Sequence, residues 1–453
     1  MTESNLPNAS YWADNPWARM SFSRFAAHRR CPAWYRHTAL DWHATWTTPP
    51  QEAGHVVQDV LQAVFDNNPA TDVTAEDLEG RAAKRVGINF AKAWGAAVQT
   101  YAANPNAVGS FDISEEQYAG YARQGLAFHT AEVAAWLQDR HPRTGARIGL
   151  PAFGAVGDAW VAVRPWHAPE TVPGEHWNEV IPQGWFQGQY DLVYEWTGGR
   201  RIVDLKASSG SSVFSSEIGH QLLAYAFMER ALGRGCPEGL EGWFLGAAEP
   251  MVFAVPDEEA TDAFGESVKA LLLRSGVGDA PWSREDFAPA PEQVAGCAVP
   301  AGAASAWCGV CPAALTCKLS GQKAPGVGAG VALSERLPTG KSLSIEGLVC
   351  GIKAPKTKTA RDGSTKVTRR ITIVNEGGYA SFGWDERDCQ RLFREGLRSG
   401  RVVRVKGLNS WETPDHARIL YFAGAQSHAE VLSESWSGQL AGVVEDDAPA
   451  FGE

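Results

Sequence analysis

Residues 188–206, GQYDLVYEWTGGRRIVDLK, set two aspartates and a lysine where a hairpin would bring them together. A turn at Gly198 and Gly199 pairs residues whose numbers sum to 397, so that Asp191 lies opposite Lys206. Side chains alternate along a strand, so Asp204 and Lys206 share a face, and this register puts Asp191 on it too. Leu192, Tyr194, Val203 and Leu205 then point into the core behind. Two carboxylates on one face suit a hard divalent cation, and a lysine beside them can orient or deprotonate water and stabilise phosphorane-like charge. The plainer reading is a surface hairpin with an ordinary Asp–Lys ion pair.

Neighbouring residues add to the pattern. Residues 188–191 spell Gly-x-x-Asp, and Gln221 and Tyr225 stand four apart on a predicted helix, hence on one face. Gly-x-x-Asp, Asp-x-Lys and Gln-x-x-x-Tyr together resemble the RecB-type branch of the PD-(D/E)xK nuclease superfamily. The resemblance implies an α/β fold, a restriction-endonuclease-like mixed sheet flanked by helices. It also implies that Asp191 and Asp204 bind Mg²⁺ or Mn²⁺, that Lys206 assists the attacking water, and that Gln221 and Tyr225 fix the site and the strand. In the family a Gly-x-x-x-His helix brings a histidine to the metal. Here the register position after Gly54 holds Gln58, with His55 three residues early, so either is a candidate third ligand.

Eight cysteines stand at 31, 236, 297, 308, 311, 317, 350 and 389. In a chain expected to be cytosolic this reads as metal binding or catalysis rather than a disulfide framework. Cys308, Cys311 and Cys317 are close enough in sequence to reach one centre, and Cys31 in CPAW can supply a fourth thiolate. The split resembles the iron–sulfur nucleases of the same superfamily, AddB and the CRISPR-adaptation exonucleases among them, and implies a [4Fe–4S] cluster on Cys31, Cys308, Cys311 and Cys317. Four thiolates also suit zinc, and Cys297 could replace Cys31 in a local site.

The chain carries 41 basic and 52 acidic residues, a net charge of −11, which as a bulk property disfavours a polyanionic substrate. No apolar run is long enough to span a bilayer, and the expectation is a cytoplasmic protein with no membrane partner. Residues 1–320 read as the nuclease domain, with helices over 51–140, followed by a Gly/Pro-rich linker at 321–340. Residues 341–426 read as five short strands with a helix between the third and fourth, the order of an OB-like β-barrel. Residues 427–453 read as a disordered acidic tail. Basic residues gather in the loop expected between the first two of these strands, with Lys353, Lys356, Lys358 and Arg361 placed to bind a nucleic-acid backbone, and Phe382, Trp384 or Trp411 to stack bases or, on the plainer reading, to pack in the core.

The expected function is a Mg²⁺- or Mn²⁺-dependent exonuclease on DNA that is single-stranded or has free ends, working beside a helicase or a recombination or adaptation partner. Gln58 in place of histidine leaves open a catalytically silent nucleic-acid-binding protein of the same fold, and the thiolates leave open a zinc-stapled nuclease.

Overall fold

Alanine-rich sequence with apolar residues at helical spacing builds the N-terminal helices. The computed structural model describes residues 6–30, 47–66, 74–107, 110–165, 179–210, 212–274, 343–359, 365–375, 378–412 and 419–433. Contacts divide the chain into one unit of residues 1–23, 50–100 and 112–279 and another of 24–49, 101–111 and 280–453. Six α-helices precede the first strand among the described residues: α1 (Ala9–Asp14), α2 (Phe22–Arg30), α3 (Pro49–Phe65), α4 (Ala75–Ala103), α5 (Glu115–Leu137) and α6 (Val156–Val163). Along α3, Val56, Val57, Val60, Leu61 and Val64 are buried at the i, i+3, i+4 spacing of an amphipathic helix. Ser114 caps α5 by accepting from Gln117 N, with Glu115 and Glu116 in the first turn, where the helix dipole favours negative charge.

The sheet of the first unit runs β3 (Leu192–Trp196), β4 (Gly199–Lys206), β5 (Gly239–Phe244) and β6 (Met251–Phe253), in that order. The strands β4 and β5 are parallel and joined through α7 (Ser212–Ala231), while the other pairs are antiparallel; α8 (Glu258–Arg274) follows β6. A short antiparallel pair, β1 (Glu179–Val180) with β2 (Gln187–Gly188), precedes them. One face of the sheet meets α5, with Phe128 edge-on to Trp243 at 5.3 Å. The other lies under α7, where a Cβ on Gly242 would come 3.4 Å from Ile218. This is the expected mixed sheet flanked by helices.

Two details of the hairpin differ from the sequence expectation. The pairs are Leu192 with Val203 through Trp196 with Gly199, so partner numbers sum to 395 and Asp191 lines up with Asp204 rather than Lys206. The turn is Thr197-Gly198, with Gly198 at φ 95°, a conformation that glycine alone adopts cheaply. A two-residue slip preserves the faces, because side chains repeat every two residues, so Asp191, Asp204 and Lys206 still share one. The strand expected over 186–196 is also broken at 189–191, between β2 and β3.

The second unit contains β7 (Leu343–Ile352), β8 (Lys356–Thr359), β9 (Thr365–Asn375), β10 (Gly378–Asp385), α9 (Glu386–Arg394), β11 (Val402–Glu412) and β12 (Ile419–Ser433). Pairing passes from β7 to β9, β10, β12 and β11 and back to β7, with β8 added on β9. Ile345, Val349, Ile371, Trp384, Leu392 and Val405 form its core. Asp385 caps α9 by accepting from Arg387 N. In the same unit Asn106 acts as a strand substitute: its Nδ2 donates to Ile352 O at 2.8 Å, and its Oδ1 accepts from Ile352 N at 3.0 Å and Ser399 Oγ at 2.6 Å.

Here too the basic segment is corrected. Where a loop was expected, β8 pairs with β9 in a hairpin that sets Lys356 across from Thr368 and Lys358 across from Lys366. Trp384 is fully buried and packed in the core, so it cannot stack a base. The linker at 321–340 and Arg361 lie outside the described residues.

Candidate active site

Three consecutive residues at the break between β2 and β3 each make a hydrogen bond that involves a side chain. Gln189 O accepts from Tyr225 OH at 2.7 Å, Tyr190 OH donates to Glu229 Oε1 at 2.9 Å, and Asp191 Oδ2 accepts from Leu205 N at 2.8 Å. At Gln189 O and Leu205 N a side chain thus takes the place that a ladder partner would fill, which explains why an extended sequence departs from the strand here. Gly188 is the first residue of Gly-x-x-Asp for a packing reason: a Cβ there would come 2.7 Å from Met228 Sδ on α7. Gln221 Nε2 donates to Tyr225 OH at 2.7 Å, one turn away on α7. Burial pushes the Tyr225 phenol far above its ordinary pKa, so it stays protonated and donates.

Asp204 is fully buried, and among the described residues its Oδ1 has no hydrogen-bond donor. Lys206 Nζ stands 2.7 Å from Oδ2, a charge-assisted ammonium–carboxylate pair. Burial raises the Asp204 pKa to about 7; Lys206 opposes the rise, and Asp191 and Glu217 add to it. For Lys206, burial works against the charge, but Asp204 and Asp191 outweigh it and the pKa is raised. Its side chain is 37% exposed, so a cation reaches toward solvent from a buried anion.

A buried carboxylate with one ammonium partner and a bare second oxygen keeps a desolvation cost that a further cation would relieve. Asp191 aligns with it on the same face, and two carboxylates form the oxygen-rich set that a hard divalent cation prefers. The residues present therefore fit a divalent metal, with Asp191 and Asp204 as its holders. No group of three or more His, Cys, Asp or Glu side chains able to share a metal occurs among the described residues.

The structure thus brings together Asp191, Asp204, Lys206, Gln221 and Tyr225. His55 is exposed and Gln58 half-buried on α3, and neither makes a hydrogen bond or ion pair among the described residues. Cys31, Cys308, Cys311, Cys317 and Cys297 lie outside the described residues. In the second unit Lys356 is exposed and Lys353 half-buried.

Sequence reasoning missed what supports the site from behind. On the opposite face of β4, Arg201 pairs with Glu132 of α5 and, at 3.3 Å, with Glu241 of β5; Arg143 pairs with the same two acids at 2.8 and 3.0 Å. The four charges alternate round a closed ring. Trp243 Nε1 donates to Glu241 at 2.9 Å, and Arg201 lies over the Tyr194 ring at 5.1 Å. One signal was available: Arg201 shares strand parity with Val203 and Leu205, so a cation stood where the core face demands a partner.

A mixed sheet whose parallel pair carries Asp-x-Lys, with the preceding aspartate beside it, is the layout of a metal-assisted phosphodiester hydrolase. A model of the PD-(D/E)XK nuclease superfamily matches residues 19–318, 300 of the 453 residues. The chain belongs to that superfamily. No curated protein matches it. Among solved structures, a replication factor A related protein from Methanobacterium thermoautotrophicum is 25% identical, covering 21% of this chain and 84% of its own, at a TM-score of 0.18. The OB domain of Ta0387 from Thermoplasma acidophilum is 18% identical, covering 24% of this chain and 82% of its own, at a TM-score of 0.15. No helix among the described residues is long and apolar enough to cross a membrane.

Proposed function

We propose that this protein is a DNA exonuclease that hydrolyses phosphodiesters in single strands or at free ends, with Asp191 and Asp204 holding Mg²⁺ or Mn²⁺. The observation that carries the reading is Asp204: a buried carboxylate whose Oδ1 has no donor among the described residues, with Lys206 at 2.7 Å from Oδ2 and Asp191 aligned beside it. A divalent cation, when bound, supplies Lewis-acid stabilisation of the developing charge and of the leaving oxygen. Lys206, held protonated by the two aspartates, draws the scissile phosphate and orients water against it. Tyr225 and Gln221 hold the 189–191 break in shape and so fix Asp191. His55 or Gln58 would complete the metal set from α3.

The narrower assignment is the RecB-like, iron–sulfur branch, with [4Fe–4S] on Cys31, Cys308, Cys311 and Cys317. It is supported by the one-plus-three spacing and by both halves falling inside residues 19–318. Such a cluster would be a staple, and the expected outcome is a brown preparation whose colour is lost in Cys31→Ser and Cys317→Ser. A colourless protein with stoichiometric zinc overturns the assignment.

Residues 341–426 are proposed as an OB-like module that positions the strand through Lys353, Lys356, Lys358 and Arg361. Support comes from the strand pairing that returns to β7, the helix between β10 and β11, and the basic β8–β9 hairpin. A cytoplasmic setting and a helicase, recombination or adaptation partner complete the proposal.

The test is degradation of labelled strands, blocked at the 5′ or 3′ end, in Mn²⁺. Wild-type protein should degrade them, and Lys206→Ala should lower the rate by about 10²–10⁴-fold, the usual range for a positioned proton-handling group. If Lys206→Ala cuts at the wild-type rate, the assignment fails. Absence of any wild-type cleavage favours the silent alternative. The blocked ends report polarity.

A further inference from the structure

The helix α4 carries a charge pattern that neither the active site nor the family assignment uses. Its acids, Glu76, Asp77 and Glu79, all lie near its start, and from Gly80 to Ala103 it carries none. In that stretch stand Arg81, Lys84, Arg85 and Lys92, all exposed. At 3.6 residues per turn these four and Ile88 fall within an arc of about 100°. Leu78, Ala82, Val86, Phe90 and Trp94 form the buried stripe on the other side. None of the four cations makes a hydrogen bond or ion pair among the described residues. In a chain of net charge −11, four unpaired cations on one helical face are a local reversal of sign.

The ground along one flank of the cations is low. Ala83, Gly87, Ala91 and Gly95 are exposed, and a Cβ at Gly80, Gly87 or Gly95 would meet nothing within 4 Å. Ile88, 61% exposed, is the one large apolar side chain in the arc. A protein partner ordinarily needs aromatic or well-packed anchors, which this face lacks. A polyanion needs only cations and close approach. From Arg81 to Lys92 the helix rises about 16 Å, enough to meet several successive phosphates set about 3.4 Å apart along a stacked strand. A solvated face is the ordinary reading of surface charge, but solvated helices usually interleave both signs, and this one does not.

We propose that the α4 face formed by Arg81, Lys84, Arg85 and Lys92 binds the phosphate backbone of the nucleic-acid substrate outside the catalytic centre. The inference rests on the nuclease reading for the identity of its polyanion. The face adds affinity without sequence preference, and its contribution falls with salt as counterions are released.

The experiment is fluorescence anisotropy of a labelled thirty-nucleotide thymidine strand in EDTA, across a salt series. The proteins are wild type, the combined Arg81→Gln/Lys84→Gln/Arg85→Gln/Lys92→Gln variant, Ile88→Glu and Asp204→Asn. Each neutralised phosphate on a single strand contributes about 0.7 to the slope of log affinity against log salt, so the four-fold variant should flatten it by about 2–3. Its affinity at low salt should drop at least tenfold. Ile88→Glu, which sets one acid amid the cations, should weaken binding in the same direction while leaving the thermal midpoint unchanged. Equal affinity and slope in wild type and both face variants overturn the proposal and leave the face to an acidic protein or to solvent. Asp204→Asn separates the two readings: it should bind like wild type in EDTA and, when the same strand is given with Mn²⁺ in place of EDTA, not cut where wild type does. If it cuts while the four-fold variant loses affinity, the catalytic assignment fails and the binding face stands.

Discussion

Asp204→Asn should stabilise the metal-free protein at pH 8 and abolish strand cleavage. Asp204 has no solvent exposure and only the Lys206 ammonium beside it, and burial lifts its pKa from the usual 3.8 to about 7. The unfolded chain releases this proton near pH 4, while the native state holds it to about pH 7. Between those values the native state binds more protons, so this group's effect is to lower stability as pH rises. The difference, roughly three pH units, corresponds to at most about 4 kcal/mol. Asparagine carries no such charge. Thermal midpoints at pH 5 and pH 8 should therefore fall more for wild type than for the variant. Mn²⁺ should raise the wild-type midpoint at pH 8 by mass action and leave the variant unmoved. Parallel pH profiles, or an equal response to Mn²⁺, would remove Asp204 from the metal site.

The second large effect lies behind the sheet. Glu132→Leu should cost about 3–5 kcal/mol in urea unfolding, because it leaves the Arg201 guanidinium buried with Glu241 as its remaining acid. Burial works against the charge of Arg201, yet Glu132 and Glu241 outweigh it and its pKa is raised, so the cation cannot escape by deprotonating. Adding Arg201→Met removes the stranded charge and leaves Arg143 with Glu241 at 3.0 Å. The double variant should recover at least half of the loss, since an apolar pair of similar volume often replaces a buried ion pair at little cost. Additive losses in the double variant would show that the ring is not one unit.

Much of the site was legible because its geometry is local. Asp191, Asp204 and Lys206 fall on one face for any register that differs by two residues, so the wrong turn position still gave the right grouping. The turn itself was ambiguous, since Thr197-Gly198 and Gly198-Gly199 both offer a glycine. Gln221 and Tyr225 were legible through helical spacing and meet as expected. What escaped the sequence depends on partners far along the chain. Glu132 and Arg201 are 69 residues apart, and Asn106 and Ile352 are 246 apart. The break at 189–191 escaped for a related reason, as its extended sequence is overruled by side chains of α7 and by Leu205 N. Trp384 misled because an aromatic on an alternating strand reads alike whether it faces core or solvent.

Asn106 also bears on how this protein can be taken apart. One asparagine side chain completes both backbone groups of Ile352, and its own segment, 101–111, counts with the C-terminal strands rather than with the residues on either side. A gene fragment opened within residues 321–340, where the sequence leads one to expect a linker, would express those strands without it, exposing a main-chain donor and acceptor that the full chain keeps satisfied. Dissection of the two units, or transplantation of the C-terminal one onto another enzyme, must therefore carry this excursion along, by insertion or by circular permutation, rather than follow a single cut.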